Sequence, residues 1–354
     1  MTIQWHSNHS QPSSVVFFRK KGDLDWRRTE GGSESLDSLD YLVHRTDLSE
    51  LIPATEYEFF LEGSQWVHSF RTLPSQLSEK TVKIVIGGDV FLNARVFRKM
   101  NAVVSSYDPD LIILGGDIAY AEKFKKYSDI IGRWKDFFQI WNQTIRGSSG
   151  RLIPMVACPG NHDVNILHEP SRQQPFYTFF TSDKSLSYRS IDIGDYCSFF
   201  LLDSGHLHKV EAEQTLWLEQ ALYERQKVSF KHPVYHVAAY SCYYFHDKKN
   251  SASIRQHWCP LFEDYGVQIA FEHHSHAYKR TYPLLHGAID PLGVIYVGDG
   301  CWGVPLRRTQ ERGYLEKRES INCFNVLSMN AEGERVSVIS IDDQLIDTFF
   351  VPKR

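Results

Sequence analysis

The sequence predicts an α/β domain that follows a small antiparallel β-sandwich, and three observations support this fold class. Residues 1–76 alternate short strand-like runs with polar turns and show no helical period. From residue 81 onward, apolar strand-like runs alternate with stretches of helical apolar spacing, which is typical of an α/β sheet. Alternating strand patterns return between residues 324 and 351 and predict a closing antiparallel sheet in the same domain.

The N-terminal region contains four strand-like runs, at residues 14–19, 41–44, 56–61 and 66–72. Residues 51–74 (LIPATEYEFFLEGSQWVHSFRTLP) resemble the closing half of a fibronectin type III module, which has a similar leucine-proline-threonine-tyrosine strand and a terminal Phe-x-Thr. The polar, turn-prone residues 75–81 mark a boundary. We therefore expect a fibronectin type III-like module over residues 1–76 and a second domain over residues 81–354.

In the second domain, five apolar runs end in residues that can bind metal ions. They are 83–89 (KIVIGGD), 110–117 (DLIILGGD), 153–163 (IPMVACPGNHD), 234–240 (VYHVAAY) and 268–276 (QIAFEHHSH). Helical apolar spacing lies between them, at 91–106, 130–145, 211–226 and 251–265. Because ligands bind at the carboxyl ends of parallel strands, we expect the functional site at these strand ends.

Composition excludes several classes of function. Lys and Arg (39) nearly balance Asp and Glu (43), the net charge is −4, and like charges form no long block, so we expect no nucleic-acid partner. No stretch approaches the about 20 apolar residues of a membrane span. The first 14 residues lack a basic segment followed by an apolar run, which favours a cytoplasmic location, with secretion as the alternative. Six scattered cysteines without a CxxC pair are expected to be free thiols.

Asp89 and Asp117 each follow a Gly-Gly pair at the end of an apolar run. Glycine lets the chain turn sharply and expose a carboxylate, and two such carboxylates can share a cation. Gly-Gly-Asp alone is also an ordinary turn sequence, so this interpretation depends on the other motifs.

The third run ends in CPGNHD, residues 158–163, which places an amide, an imidazole and a carboxylate side by side. His236 lies in the next run, and His274 and His276 lie in the last one. Residues two apart on an extended strand point to the same face, so His274 and His276 can converge while His273 points away as a structural residue. Oxygen and imidazole donors without clustered cysteines suit two hard or borderline metal ions.

In their order along successive strand ends, these motifs resemble those of the calcineurin-like metallophosphoesterase superfamily, and within it the purple acid phosphatases. The resemblance runs from residue 83 to at least residue 302 and implies a four-layer α/β/β/α sandwich. Metallophosphoesterases in general carry Asp-x-His in the first motif, but Phe91 stands at that histidine position here. The second motif instead extends to Tyr120, which resembles the Gly-Asp-x-x-Tyr of purple acid phosphatases.

The resemblance implies two metal ions that Asp117 bridges. The ligands of the first ion are Asp89, Asp117, Tyr120 and His276. The ligands of the second ion are Asp117, Asn161, His236 and His274. A phenolate is a hard anionic ligand, so the first ion is expected to be Fe(III), and the second is expected to be divalent zinc, iron or manganese.

The resemblance also implies two histidines that contact the phosphate of a substrate. His162 lies within the Asn-His motif and is the candidate general acid for the leaving alkoxide. His246 lies ten residues past His236, in the stretch YSCYYFHD. Three neighbouring tyrosines are expected to be pocket walls or core residues: Tyr240, Tyr243 and Tyr244. Asp299 is expected to form a turn near the site rather than to bind metal.

The expected activity is the hydrolysis of a phosphorylated small molecule or other phosphoester, by a metal-activated water that attacks phosphorus directly. The closest alternative on the same fold is a phosphodiesterase acting on cyclic nucleotides or lipid headgroups. A binding protein with a vestigial metal site is a further alternative, which the complete ligand set disfavours. Relative to the purple acid phosphatases, this sequence has Phe91 and His273 where glycine is usual. Both positions lie beside the predicted metal ions, so they bear on the shape of the pocket and the choice of substrate.

Overall fold

The computed structural model describes residues 1–11, 13–36, 39–77, 81–164, 170–181 and 185–353. Within these ranges the strands form five hydrogen-bonded sheets. No helix in the same ranges has the length and apolar character needed to cross a membrane.

The N-terminal region is an antiparallel β-sandwich, as predicted. Its strands are β1 (Thr2–Ser7), β2 (Val15–Lys20), β3 (Arg27–Glu30), β4 (Gly32–Ser35), β5 (Leu42–Asp47), β6 (Glu56–Leu61) and β7 (His68–Arg71). One sheet has the order β1-β5-β4 and the other the order β3-β2-β6-β7. Its core includes Val16, Phe18, Tyr57, Phe59 and Phe70. Strands β3 and β4 are polar and mostly exposed, so they lack the apolar alternation that identifies β2 and β6 in the sequence.

From residue 82 the chain alternates strands with helices and then ends in three antiparallel strands. In chain order the elements are β8 (Val82–Gly87), α1 (Ala94–Ser106), β9 (Leu111–Leu114), α2 (Tyr127–Thr144), β10 (Met155–Ala157), α3 (Pro170–Phe180), β11 (Arg189–Ile193), β12 (Cys197–Leu201), α4 (Glu213–Glu224), β13 (Phe230–Val237), α5 (Lys249–His257), α6 (Cys259–Asp264), β14 (Ile269–His273), β15 (Tyr278–Thr281), β16 (Leu284–Leu285), β17 (Ala288–Ile289), β18 (Ile295–Gly298), β19 (Leu315–Glu319), β20 (Cys323–Met329), β21 (Gly333–Ser340) and β22 (Leu345–Pro352).

Two mixed sheets form the centre of this domain. The first has the order β10-β9-β8-β20-β21-β22, in which β8, β9 and β10 are parallel and the three C-terminal strands are antiparallel. The second has the order β11-β12-β13-β14-β18-β15-β19, in which β12, β13, β14 and β18 are parallel. The predicted motifs lie at the carboxyl ends of parallel strands from both sheets, where a shared site can form.

Three apolar clusters establish the order of the layers. One fills the space between the two sheets, a second lies between the first sheet and helices α1 to α3, and a third lies between the second sheet and helices α4 to α6. Representative members are Ile84 and Val234 between the sheets, Val85 and Trp134 in the second cluster, and Tyr235 and Trp258 in the third. The order is therefore α/β/β/α, which confirms the predicted four-layer fold.

Helices α1, α2 and α4 follow the predicted apolar spacing, the last predicted stretch is divided in two, and α3 was not predicted. Helix α1 begins after Asn93, whose side chain accepts hydrogen bonds from the N–H groups of Arg95 and Val96. The helical stretch predicted at 251–265 is two helices, α5 and α6, because Pro260 has no N–H to continue the first one.

The N-terminal module packs directly on the second domain. Leu36, Tyr41 and Val43 belong to the same apolar cluster as Trp134 of α2. The Lys135 ammonium of α2 lies 4.1 Å from the centre of the Tyr41 ring. Strand β7 ends before residue 76 and β8 begins after residue 81, so no strand that the structure describes crosses the predicted boundary; residues 78–80 lie outside the described ranges, and the boundary itself stays a prediction.

Candidate metal centre

The first two predicted ligands lie side by side at the ends of adjacent parallel strands. Asp89 follows β8, Asp117 follows β9, and both side chains are fully buried. Three backbone hydrogen bonds join the two loops, from Asp89 to Gly116 (3.0 Å), Val90 to Asp117 (2.8 Å) and Phe91 to Ile118 (2.9 Å). Two negative charges are therefore held close together without access to solvent.

Asp163 fixes the CPGNHD loop to the Asp117 loop. Its carboxylate accepts hydrogen bonds from the N–H groups of Ile118 (2.7 Å) and Gly160 (2.9 Å). The N–H of His162 in turn donates to Asp117 Oδ1 at 2.7 Å. A Cβ atom at Gly160 would lie 2.2 Å from the Asp117 nitrogen, so only glycine fits between the two loops.

The predicted ligands of the second ion converge on one point. His236 Nε2 lies 3.2 Å from both Asp117 Oδ2 and Asn161 Oδ1, and 3.1 Å from His274 Nδ1. Its Nδ1 lies 2.9 Å from the Gly115 carbonyl, which can only accept, so Nδ1 carries a proton and Nε2 faces the centre. Ligand atoms of Asp117, His236 and His274 all lie within 4.8 Å of one another, which suits a metal ion.

The remaining predicted ligands form a second group beside the first. The Tyr120 hydroxyl lies 2.9 Å from Asp89 Oδ1 and 3.4 Å from His276 Nε2. His276 Nε2 lies 2.9 Å from Asp89 Oδ1, and its Nδ1 lies 3.1 Å from the Pro305 carbonyl, which orients the ring. The two groups are joined where the N–H of His274 donates to Asp89 Oδ2 at 2.8 Å.

Five of the predicted ligands have a left-handed backbone, with φ between 52° and 68°: Asp89, Asp117, Tyr120, His274 and His276. Residues other than glycine rarely adopt this conformation, which costs about 1–3 kcal/mol per residue and is found most often at functional sites. The hydrogen bonds and packing of the loops must compensate this cost, which supports a functional role for these positions.

The chemistry of the donor set fits metal cations. Asp117 Oδ2 is buried and accepts no hydrogen bond from any residue that the structure describes. Burial by itself raises the pKa of Asp89 and Asp117, but the surrounding histidines, His236 foremost, together lower both pKa values, that of Asp89 to about 2. Burial and the neighbouring carboxylates raise the pKa of the Tyr120 phenol, so this phenol ionises only beside a cation. Bound metal ions would supply the positive charge that these donors require.

His162 lies at the edge of this centre, as predicted for a residue that contacts substrate. Its Nδ1 is hydrogen-bonded to the Glu122 carboxylate, and its Nε2 lies 3.9 Å from Asp117 Oδ2. The ring stacks on Tyr120 with 4.6 Å between ring centres. Burial lowers the pKa of His162, but Glu122 and Asp117 together raise it by more, so the net shift is upward.

The structure does not bring His246 against the predicted ligands. Its side chain is exposed, and its ring lies 6.2 Å from that of Tyr240 and 5.8 Å from that of Tyr314. Among the described residues, its ring contacts these tyrosines and no predicted metal ligand. Tyr244, by contrast, stacks on His274 at 4.6 Å, which fits the pocket wall expected from the sequence.

Two neighbours of the centre, His206 and Glu122, were missed in the sequence. The His206 ring lies 5.7 Å from that of His236. The loop of His206 is rigid because the Asp203 carboxylate accepts hydrogen bonds from four consecutive backbone N–H groups, at residues 205–208. Residues 197–203 (CSFFLLD) are another apolar run that ends in an acidic residue, so the strand-end criterion could have found this loop. No comparable sequence pattern marks Glu122 as a neighbour of the centre.

His273 and Asp299 support the centre from the side away from the ligands. His273 is structural, as expected, because its Nδ1 lies 2.6 Å from Asp299 Oδ1. Asp299 also accepts hydrogen bonds from Asn325 (2.9 Å) and from the N–H of Gly88 (3.3 Å), so it is a buried anchor between loops rather than only a turn residue. A Cβ atom at Gly115 would lie 1.7 Å from the His273 ring, so a large side chain at 273 requires glycine at 115.

Gly160→Ala is expected to abolish metal binding, because the added Cβ would collide with the nitrogen and the carboxylate of Asp117, at 2.2 and 2.3 Å. Bound metal per chain, measured by plasma mass spectrometry, and thermal unfolding test this expectation. The control is Gly132→Ala in α2, where a Cβ meets open space and the helix gains about 0.5–1 kcal/mol. Wild-type metal content in Gly160→Ala would contradict the tight packing of the two loops.

Comparisons with protein families, curated proteins and solved structures all find phosphoesterases or purple acid phosphatases. The family model described as Calcineurin-like phosphoesterase matches residues 82–278. The chain is 24% identical over 288 residues to purple acid phosphatase 15 of Arabidopsis thaliana, covering 73% of this chain and 53% of that protein. It is 21% identical over 331 residues to Fe(3+)-Zn(2+) purple acid phosphatase 12 of the same plant, covering 84% and 68%. Purple acid phosphatase PPD1 from yellow lupin seeds superposes with a TM-score of 0.81 at 18% identity, covering 99% and 72%.

The superposition on the lupin structure shows a shared fold that includes the N-terminal module. The chain spans about half the length of the curated relatives it matches first, purple acid phosphatases 15 and 13 of Arabidopsis thaliana. The family match covers more than half of the chain and contains every predicted metal ligand, from Asp89 to His276. The chain therefore belongs to the calcineurin-like phosphoesterase family.

Proposed function

We propose that this protein hydrolyses phosphate monoesters at a centre of two metal ions that Asp117 bridges. The observation that carries the proposal is the environment of the buried Asp117 carboxylate. Oδ1 accepts the N–H of His162, whereas Oδ2 accepts no hydrogen bond within the described ranges and lies 3.2 Å from His236 Nε2. A buried, negatively charged oxygen that accepts no hydrogen bond and lies beside the donors of the second ion is available to bind metal, and the adjacent loop of Asp89 supports the assignment of a shared ligand. The names of the purple acid phosphatase relatives support the same activity.

The first ion is proposed to be Fe(III), and the second zinc, iron or manganese in the divalent state. The two ligand sets are those predicted above: Asp89, Asp117, Tyr120 and His276, and Asp117, Asn161, His236 and His274. The Tyr120 phenol supports Fe(III) because a phenolate is a hard anionic donor. Phe91 is buried against the same loop and offers no donor in place of the histidine that many metallophosphoesterases have there. The relative named for Fe(3+) and Zn(2+) supports this pair of ions.

When bound, the two ions would supply Lewis-acid chemistry that activates water and stabilises the charge on phosphorus. The side chains around them orient the substrate and transfer protons. Glu122 holds Nδ1 of His162, so Nε2 faces the centre and can donate a proton to the leaving oxygen. Stacking on Tyr120 restricts rotation of the same ring.

His206 is proposed as a second contact to the phosphate. Ser204 Oγ accepts the N–H of Val237 at 2.9 Å and can therefore donate its own proton to His206 Nε2, 3.1 Å away. In this arrangement Nδ1 of His206 carries the proton, has no hydrogen-bond partner among the described residues and can donate to a phosphate oxygen. The contact of His246 with phosphate stays a prediction from the family resemblance, and the exposed position of its ring does not support it.

Asp117→Ala is expected to release both ions and abolish hydrolysis, because this carboxylate is the ligand that both ions share. Metal content and turnover of p-nitrophenyl phosphate test the bridge, and two retained ions with substantial activity would exclude it. Wild-type turnover of bis(p-nitrophenyl) phosphate is measured in parallel. Faster hydrolysis of this diester than of the monoester would favour a phosphodiesterase over the proposed phosphatase.

His162→Ala is expected to keep its metal ions but to hydrolyse glycerol phosphate about 10²–10⁴-fold more slowly, as is typical for loss of a general acid. The loss should be much smaller for p-nitrophenyl phosphate, because its leaving group is a weak base that needs little protonation. Glu122→Gln keeps the shape of the partner and should show an intermediate effect. Equal losses on both substrates in His162→Ala would argue against the proton-donor role.

Tyr120→Phe tests the identity of the first ion. If the Tyr120 phenolate binds Fe(III), ligand-to-metal charge transfer gives the iron-loaded wild type a pink to violet colour, and the variant should lose this absorption band. The ring is kept, so thermal unfolding should change little. The matched control is Tyr244→Phe, which alters a wall of the same pocket and should keep the colour. A colourless, fully active wild type that holds only zinc or manganese would refute the Fe(III) assignment.

A further inference from the structure

A cavity of about 820 Å³ lies between the N-terminal module and the second domain. Strands β1 and β5 line it on the module side, and α2, β10, β11 and the end of α3 line it on the other side. None of the described residues that line it is a predicted metal ligand. The cavity is therefore a separate compartment from the metal centre.

Arg189, the first residue of β11, contributes an unpaired positive charge to this cavity. Its guanidinium is partly buried and has no hydrogen-bond or ion-pair partner among the residues that the structure describes. Burial, with a further contribution from the nearby Arg45, lowers the pKa of Arg189 to about 10. The group is still charged at neutral pH, and no residue that the structure describes pairs with this partly buried charge.

Two further cations line the same cavity, Arg45 from β5 and Lys135 from α2. Arg45 is held in place because it donates to Gln4 Oε1 at 3.0 Å and to the carbonyl oxygen of Thr178. Asp47 is the one acidic residue among the described lining residues, and it is exposed. The lining therefore carries more positive than negative charge, and Glu34, which acts on Arg45 from outside the lining, reduces this excess without cancelling it.

His6 also lines the cavity. Burial lowers the pKa of His6 to about 3, and His44, Lys135 and Arg45 add to the shift. The ring is therefore neutral at neutral pH and adds no positive charge of its own. The remaining lining is largely aromatic, with Trp5, Tyr41, Phe138, Trp141, Phe179 and Phe180.

We propose that this cavity binds a small organic anion that carries an aromatic body. A carboxylate, sulfonate or phosphate group would pair with Arg189 and Arg45, which match such groups in geometry as well as in charge. The aromatic body would pack on rings such as Phe138 and Phe179 and leave water. A site of this kind is built jointly by the module and the second domain, so both are needed to form it.

The test uses the full chain and two probes that differ in charge. 1-Anilinonaphthalene-8-sulfonate is an aromatic anion, and N-phenyl-1-naphthylamine has the same rings without the sulfonate. Fluorescence titration of the wild type should show one saturable site that binds the anion more tightly than the neutral probe. Arg189→Leu should weaken binding of the anion by about tenfold or more, as expected for the loss of a hydrogen-bonded charge pair, and should leave the neutral probe unaffected.

Three further variants test whether the change in probe binding is specific to the charge of Arg189 and to this cavity. Arg189→Lys keeps the charge and should retain part of the anion affinity. Arg28→Leu removes an exposed arginine of β3 and should bind both probes as the wild type does. Asp117→Ala changes the metal centre and should also bind both probes normally, which separates this site from the catalytic one.

Stability without any probe distinguishes a ligand site from a structural role for Arg189. If Arg189 is unpaired, Arg189→Leu should unfold at the same temperature as the wild type or a higher one, because it removes an uncompensated buried charge. A lower unfolding temperature, equal affinity for the two probes, or unchanged anion binding in Arg189→Leu would each overturn the proposal.

Discussion

The burial of two carboxylates beside each other is the constraint on which the rest of this structure depends. Asp89 and Asp117 repel each other, and neither reaches solvent. Backbone N–H groups of His162 and His274 donate to the two side chains, and His236 lowers the pKa of both. Each compensating group comes from a different strand end, so the pair is stable only when two sheets and their loops are in place.

The departures from the usual family pattern have a packing explanation. His273 fills the space beside the glycines at 88 and 115 and is anchored by Asp299, so it connects the two sheets just outside the ligands. Phe91 packs on Phe97, and the Arg133 guanidinium lies 3.5 Å from the centre of its ring. Arg133 also donates to the carbonyl oxygen of Ala119, next to the predicted ligand Tyr120. Both bulky residues therefore support the ligand loops instead of binding metal.

The N-terminal module is more than an appended domain, because it shares an apolar cluster with helix α2 and encloses a cavity with it. Helix α2 also carries Arg133, which contacts the loops of Asp89 and Tyr120. A single rigid helix thus contacts both the cavity between the domains and the metal centre, through Lys135 on one side and Arg133 on the other.

The sequence by itself determined the two fold classes, and it predicted the seven candidate ligands that the structure brings together, because alternation of apolar residues and strand-end motifs are local features. The polar strands β3 and β4 and the break at Pro260 were harder to predict, since packing or a single residue decides them. Only the tertiary structure placed His206 and Glu122 beside the centre, gave Asp299 its anchoring role and left His246 exposed. These outcomes depend on contacts between residues far apart in the chain, which exist only once the two sheets have packed face to face.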